Sequence, residues 1–472
     1  MKKKIIIIGG GISGLSVLHY LKRMYAPQGD VAIALLEKNP YVGGTAHTQY
    51  YPDFIFEEGP NGFLDSKEST LQLVRELGLE NELVRANPQA KIRYLSINGR
   101  LQKIHPSPWG LLKIPCLSLK DKWRILSEPF IPPTELDDET VYDFAKRRLG
   151  ENFAKYFIDP MVTGIFGGEA DRLILKYTFP RMYELEKDYG SIFKAMVALK
   201  KTKKSKEKMV GEPKGTLTSF RKGMSQLVEA IHTQYQSSIK TSQEVQSLRY
   251  KEERWFIEMP EREEIADQVF LCTPAYVAAQ LLTQQNQRLS KALVATPYAP
   301  LAVIGLAYRM TDLSQAPKGF GYLVPSCEYS DVLGVLFCNN IFPDRSREDV
   351  SLFRVMMGGT RKRYLLNKST KELISLACEE LKKTLKIERK PYQTVLKIWQ
   401  KAIPQYDKTY VESLKIINEE TTNLRGLFLV ANYLGGVSLN DCVANAKTMV
   451  EKSFNQKFAE SLSVNDVAVG KP

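Results

Sequence analysis

Side chains that do chemistry unaided are scarce in this chain. Its 472 residues include four histidines, His19, His47, His105 and His232. No nucleophile–base or metal-ligand spacing surrounds them, so each reads as structural or exposed. The six cysteines (Cys116, Cys272, Cys327, Cys338, Cys378, Cys442) are scattered without a CxxC pair. That spacing excludes a thiolate metal site and a disulfide scaffold, and it is expected of reduced thiols in the cytoplasm. No apolar run approaches the length of a membrane span. There is no internal repeat, and no signal or transit peptide is expected ahead of a buried strand that starts almost at Met1.

Hydrophobic residues make up 43% of the chain and charged residues 25%, the balance of a soluble globular protein, and the length calls for two or three domains. The charge is lopsided, at +13. Its densest part, "KKTKKSKEK" (Lys200 to Lys208), directly follows the apolar "IFKAMVAL". Ile192, Phe193, Met196, Val197 and Leu199, followed by Lys200, Lys201, Lys203, Lys204, Lys206 and Lys208, suit an element lying on an anionic membrane surface. A solvated lysine loop is the alternative. Nucleic acid is not expected as a partner, since no binding motif appears and no aromatic residues interleave with the run.

The most informative stretch is "IIIIGGGISGLSVLHYLKRM", residues 5 to 24. Ile5 to Ile8 are apolar without alternation, as in a parallel strand buried on both faces. Gly14, Val17, Leu18, Leu21 and Met24 form one stripe of a following helix. The three glycines then divide the work: Gly9 for a tight turn, Gly11 for close approach of a pyrophosphate, Gly14 for packing of helix on strand. Ile12 and Ser13 open the helix, whose unpaired N–H groups favour a phosphate. "VAIALLEK" reads as the next strand and puts Glu37 at its end, followed by Lys38. A carboxylate there accepts ribose hydroxyls and repels a 2′-phosphate, which disfavours NADP. NAD and FAD both remain open on these residues.

Further along, "VGGTAHT" leads to the helix "SKESTLQLVRELGL". "IRYLSINGRLQKI" reads as a hairpin around Asn98-Gly99. Residues from about 105 to 210 are helical and broken by prolines. Strands end in "ADQVFLCTP", a mixed region carries the helix "STKELISLACEELKKTL", and "GLFLVANYLGGVSLNDCVANAKTMVEKSF" repeats strand, glycine turn and helix. The expected fold is α/β: a discontinuous Rossmann-like domain (1–84, 211–294 and 416–472), a mostly helical membrane-facing domain (85–210) and an α+β substrate domain (295–415).

Several longer blocks carry a family likeness: "FEEGPNGF" (Phe56 to Phe63), "RYLSINGRL" (Arg93 to Leu101), "VTGIFGGEADRL" (Val162 to Leu173), "GFGYLVPS" (Gly319 to Ser326), "LGVLFCNNIFPDR" (Leu333 to Arg345), "MMGGTRKR" (Met356 to Arg363) and "IPQY" (Ile403 to Tyr406). With Gly9, Gly11, Gly14, Glu37, Gly43 and Gly44 in place, the chain resembles the FAD-dependent protoporphyrinogen oxidases, relatives of the monoamine oxidase and phytoene desaturase flavoproteins, from residue 3 to about 455. The resemblance implies FAD rather than NAD, oxidation of protoporphyrinogen IX to protoporphyrin IX in haem biosynthesis, and dioxygen as acceptor with hydrogen peroxide as product. It implies hydride transfer to flavin without a catalytic side chain, which agrees with the missing histidine chemistry.

Carried over residue by residue, the likeness implies Leu323, Leu336 and Met356 sandwiching the macrocycle, with core packing as the alternative, Arg93 holding a propionate, and Gly164 and Gly167 letting backbone approach the ring. For the cofactor it adds Gly59 and Pro60, Val245 beside adenine, and Val437 and Ser438 opening the last helix, whose dipole favours reduced flavin. Asn61, Ala431 and Ala446 depart from residues common in relatives. Oxidation of coproporphyrinogen III is the nearest rival. A non-catalytic flavin-binding assembly factor, and a membrane-associated desaturase or amine oxidase, are further alternatives. A cytoplasmic protein, peripheral on the cytoplasmic face of the membrane, and a homodimer complete the expectations.

Overall fold

The isoleucine run forms the strand Lys3–Ile8, which pairs in parallel with Val31–Leu36 on one side and Gln268–Leu271 on the other. Ile5 and Ile7 face one core and Ile6 and Ile8 another, which explains the lack of alternation. Strands Ile239–Lys240 and Leu427–Leu429 extend this sheet to five parallel strands. The helices Ile12–Tyr25, Ser225–Tyr235 and Leu439–Ala468 pack on one face. A three-stranded antiparallel sheet between Ser247 and Ala266 and the helices from Ala275 to Ala295 cover the other. The sheet is thus built from distant segments, as a discontinuous Rossmann-like unit requires. The computed structural model describes residues 3–25, 31–104, 116–134, 136–201 and 215–468.

A second sheet of seven strands runs in the order Gln393–Pro404, Tyr298–Arg309, Val350–Gly358, Val332–Phe337, Gly321–Leu323, Arg93–Ile97, Arg100–Ile104. The expected hairpin is there, with Asn98 and Gly99 at φ 52° and 69°, as a type I′ turn needs. It joins this sheet rather than the helical unit, because Arg93–Ile97 finds a parallel partner in Gly321–Leu323. The helix Thr370–Leu385 covers one face through Leu373, Ala377 and Leu381 against Tyr322, Val335, Val355 and Met357.

The region from Leu119 to Lys201 is helical. In the helix Ile192–Lys201 the expected membrane patch is mostly turned inward: Ile192 is buried, Phe193, Met196 and Leu199 are half-buried against helical neighbours, and only Val197 of the five is exposed. Tertiary packing claimed the apolar face of that helix. Lys203, Lys204, Lys206 and Lys208 lie outside the described residues, and of the Lys200 and Lys201 side chains nothing is described.

Candidate active site

The glycine turn separates its three duties in space. Gly9 takes φ 103°, which only glycine adopts without strain, and a Cβ on Gly14 would stand 1.9 Å from the Gly9 carbonyl oxygen. At Gly11 a Cβ would meet nothing within 4 Å. The chain has left room where a pyrophosphate would lie, at the start of the helix Ile12–Tyr25. Gly43 N donates to Gly10 O at 2.8 Å, and a Cβ on Gly44 would stand 3.2 Å from Gly11 Cα, so the second glycine pair closes on the first. A Cβ on Gly59 would strike Thr45 O at 1.9 Å. Contact by contact, the segments around Gly11, Gly44 and Gly59-Pro60 form one cradle.

Glu37 is buried at the end of its strand, accepting from Gly10 N at 2.7 Å and from Asn39 N and Nδ2 at 2.9 and 2.7 Å. Three donors hold the carboxylate beside the turn, and it has lone pairs to spare for a ribose. Lys38 beside it is exposed. Gln243 N donates to Glu37 O at 2.8 Å, which brings the half-buried Val245 to the same end of the sheet. At the other end of the cradle, Ser438 caps the last helix, exchanging hydrogen bonds with Asp441 through its N (3.2 Å) and Oγ (2.6 Å). Val437 packs against the helical core. Burial pushes the Cys442 thiol up to about 11 against an opposing hydrogen bond with the buried Ser13, which ties the last helix to the first. Ala431 and Ala446 are buried in the two cores that flank the parallel sheet; their methyls are absorbed by packing.

Pairing across the second sheet sets four candidate substrate residues on its other face. Arg93 pairs with Gly321, Gly321 with Leu336, Leu336 with Arg354 and Arg354 with Gly305, one row across five strands. The neighbouring row runs Leu95, Leu323, Gly334, Met356, Val303. Leu323, Leu336 and Met356 are only half-buried in a sheet whose opposite face is closed. They form an apolar floor. Arg93 stands at its edge with the guanidinium 5.1 Å from the centre of the Phe320 ring. Gly164 lies against this floor, where a Cβ would stand 2.7 Å from Leu323 Cδ2, and a Cβ on Gly167 would stand 3.4 Å from Ala299 Cβ. The missing side chain of Gly164 lets the helix Asp159–Phe166 approach the sheet at Leu323.

Cradle and floor meet at residues 56–60. Phe56 lies against Gly305, where a Cβ would stand 2.7 Å from its ring. Trp399 Nε1 donates to Glu58 O at 2.9 Å, and Arg354 Nη2 donates to Gly59 O at 2.5 Å. Arg354 escaped the sequence reading, although a lone arginine inside the apolar strand "VSLFRVMMG" is a signal of buried charge. Asn61 Nδ2 is buried without a hydrogen-bond partner among the described residues. With the open position at Gly11 and the anchored Glu37, these groups fit a bound dinucleotide.

A family model described as flavin containing amine oxidoreductase matches residues 12–451. The chain belongs to that family. Among curated members, protoporphyrinogen oxidase 1, chloroplastic, of Arabidopsis thaliana is 30% identical over 484 residues, covering 96% of this chain and 89% of its own. Coproporphyrinogen III oxidase of Bacillus subtilis (strain 168) is 26% identical, covering 97% and 99%. The family fold is shared with a crystal structure from Exiguobacterium sp. 255-15, provisionally described as a protoporphyrinogen oxidase, at a TM-score of 0.81 and 23% identity over 96% of this chain and 98% of that one. The family is that of FAD-dependent oxidoreductases, and the cradle suits that cofactor. Among the described residues no cluster could hold a metal ion.

Proposed function

We propose that this flavoprotein oxidises protoporphyrinogen IX to protoporphyrin IX. The observation that carries the reading is the half-buried floor of Leu323, Leu336 and Met356, joined through residues 56–60 to a flavin cradle and edged by Arg93. A flat, apolar ring with acidic side chains fits that arrangement. Its faces cover the floor and exclude water, and a propionate reaches the guanidinium. FAD, when bound, would supply an electron-poor ring able to accept a hydride from a methylene carbon activated by neighbouring pyrroles and to pass two electrons to dioxygen as hydrogen peroxide; three such rounds, using three dioxygens, would remove the six electrons and six hydrogens that separate the porphyrinogen from the porphyrin. The pyrrole system releases the accompanying proton. The start of the last helix, at Val437 and Ser438, offers positive dipole to the charge that builds up.

Coproporphyrinogen III, which carries more carboxylates, is the second reading, supported by the full-length match to the Bacillus protein of that name. Anaerobic mixing with each porphyrinogen separates the two. Flavin bleaching should be fast with protoporphyrinogen IX and slow with coproporphyrinogen III; the reverse order reassigns the substrate. No bleaching with either would leave a flavin-binding protein of another kind.

Docking on an anionic membrane is also proposed, with a different surface from the one the sequence suggests. In the helix Leu119–Leu126, Leu119 is 77% and Trp123 73% exposed, and Phe130 just beyond is 85% exposed. Lys120 is exposed and Lys122 half-buried among them, while Arg124 is half-buried and donates to Arg147 O. Exposed apolar side chains flanked by cations are the pattern of an element resting at lipid headgroups. Among the described residues no helix is long and apolar enough to cross a membrane.

A further inference from the structure

Glu57 and Glu58 lead directly into Gly59-Pro60 and meet three cations from the substrate unit. Two of them are matched: Arg345 Nη2 lies 3.6 Å from Glu57 Oε1, and Lys397 Nζ lies 3.0 Å from Glu58 Oε2. Glu57 also accepts from Thr48 Oγ1 at 2.8 Å and Met224 N at 3.0 Å. Burial pushes its carboxyl up on balance, while Arg345, Thr48, the Met224 N–H and Arg354 act in the opposite direction. Arg354 is the third cation, with no carboxylate at ion-pair distance among the described residues, although Glu57 acts on it from further away. It is 5% exposed, its one hydrogen bond goes to Gly59 O, and its Nε has no partner among the described residues.

A guanidinium keeps its proton at any ordinary pH. Burying one with a single bond and no ion pair is costly unless a negative charge arrives from elsewhere. Its place in the sheet narrows the source. Arg354 stands between Leu336 and Gly305, two residues from Met356, and its hydrogen bond reaches the segment that completes the flavin cradle. A hydride brings two electrons and one proton, so whatever accepts it passes from neutral to negative. This positive charge lies at the junction of cradle and floor, where a bound flavin would meet its substrate.

We propose that Arg354 is a positioning residue of the redox centre: it ties Gly59-Pro60 to the sheet carrying Leu336 and Met356, and its buried positive charge favours the reduced flavin. The proposal rests on flavin occupying the cradle, and a colourless parent protein would sink that premise separately. The test is the two-electron reduction potential of the flavin-loaded protein, measured without porphyrinogen, for the parent, Arg354→Met, Arg354→Lys and Glu57→Gln. Arg354→Met should lower the reduced-to-oxidised ratio at a fixed potential by about tenfold, or ~30 mV for a two-electron couple. Glu57→Gln, which removes a negative charge from the same cluster, should move the ratio the other way, and Arg354→Lys should restore most of the parent value. Damaged packing alone would not give shifts of opposite sign.

A flavin-loaded Arg354→Met protein at the parent potential overturns the proposal. So does an unchanged potential combined with a raised KM for coproporphyrinogen III, which would hand the guanidinium to a substrate carboxylate. Should Arg354→Met lose its flavin, Glu57→Gln decides alone, and an unchanged potential there overturns the proposal as well.

Discussion

At the scale of single residues, Glu37 and Arg93 separate cofactor from substrate. Glu37 is fixed by three donors beside the glycine turn, so Glu37→Arg would set a cation against the same N–H groups and remove the ribose acceptor. The protein should fold and purify with much less flavin; full visible absorbance in that variant would end the assignment. Arg93 sits on the rim, away from the cradle. A guanidinium–propionate hydrogen bond is worth about 1.5–3 kcal/mol, so Arg93→Ala should raise KM about tenfold or more with the flavin spectrum unchanged. An unaltered KM would return Arg93 to a surface role stacked on Phe320. Glu37 was legible in the sequence because its place follows from a local rule, the end of the strand after the glycine turn. Arg354 was not, because its role depends on a carbonyl 295 positions away in the chain. The neighbour of Gly164 was not legible for a related reason: only the fold brings Leu323 beside it.

At the scale of elements, the turn between the first strand and helix makes a paired prediction. A side chain at Gly11 enters open space and one at Gly14 strikes the Gly9 carbonyl. Gly11→Val should therefore melt close to the parent temperature yet fail to retain flavin. Gly14→Val should lose stability first, by about 1–3 kcal/mol or more from overpacking. Thermal melts with and without added FAD distinguish the two, and equal destabilisation would show that Gly11 serves the fold rather than the ligand. Strong periodicity made the helices Ile12–Tyr25 and Thr370–Leu385 readable in advance, and turn chemistry did the same for the hairpin at Asn98-Gly99. Partnership was not readable. That hairpin joins strands more than two hundred residues downstream, and the amphipathic helix Ile192–Lys201 spends its apolar side on neighbouring helices.

At the scale of the whole molecule, the exposed Leu119, Trp123 and Phe130 with their flanking cations should decide where the protein resides. Each cation close to an anionic surface contributes about 1 kcal/mol, and salt screens that attraction within about 8 Å at physiological ionic strength. Trp123→Ser with Phe130→Ser should abolish sedimentation with anionic vesicles while flavin content and turnover in detergent stay as in the parent. Equal sedimentation of both proteins would exclude this surface. The parallel sheet has a different consequence, in time rather than in space. Its strands come from residues 3–36, 239–240, 268–271 and 427–429, so its topology has a high contact order and much loop-closure entropy to overcome. A nascent chain on the ribosome displays the phosphate turn about four hundred residues before it gains the edge strand and the helix that begins after Ser438. Cofactor capture thereby waits until residue 427 and the helix after it have been made, and chains stalled before residue 427 should emerge colourless however much FAD the cell contains.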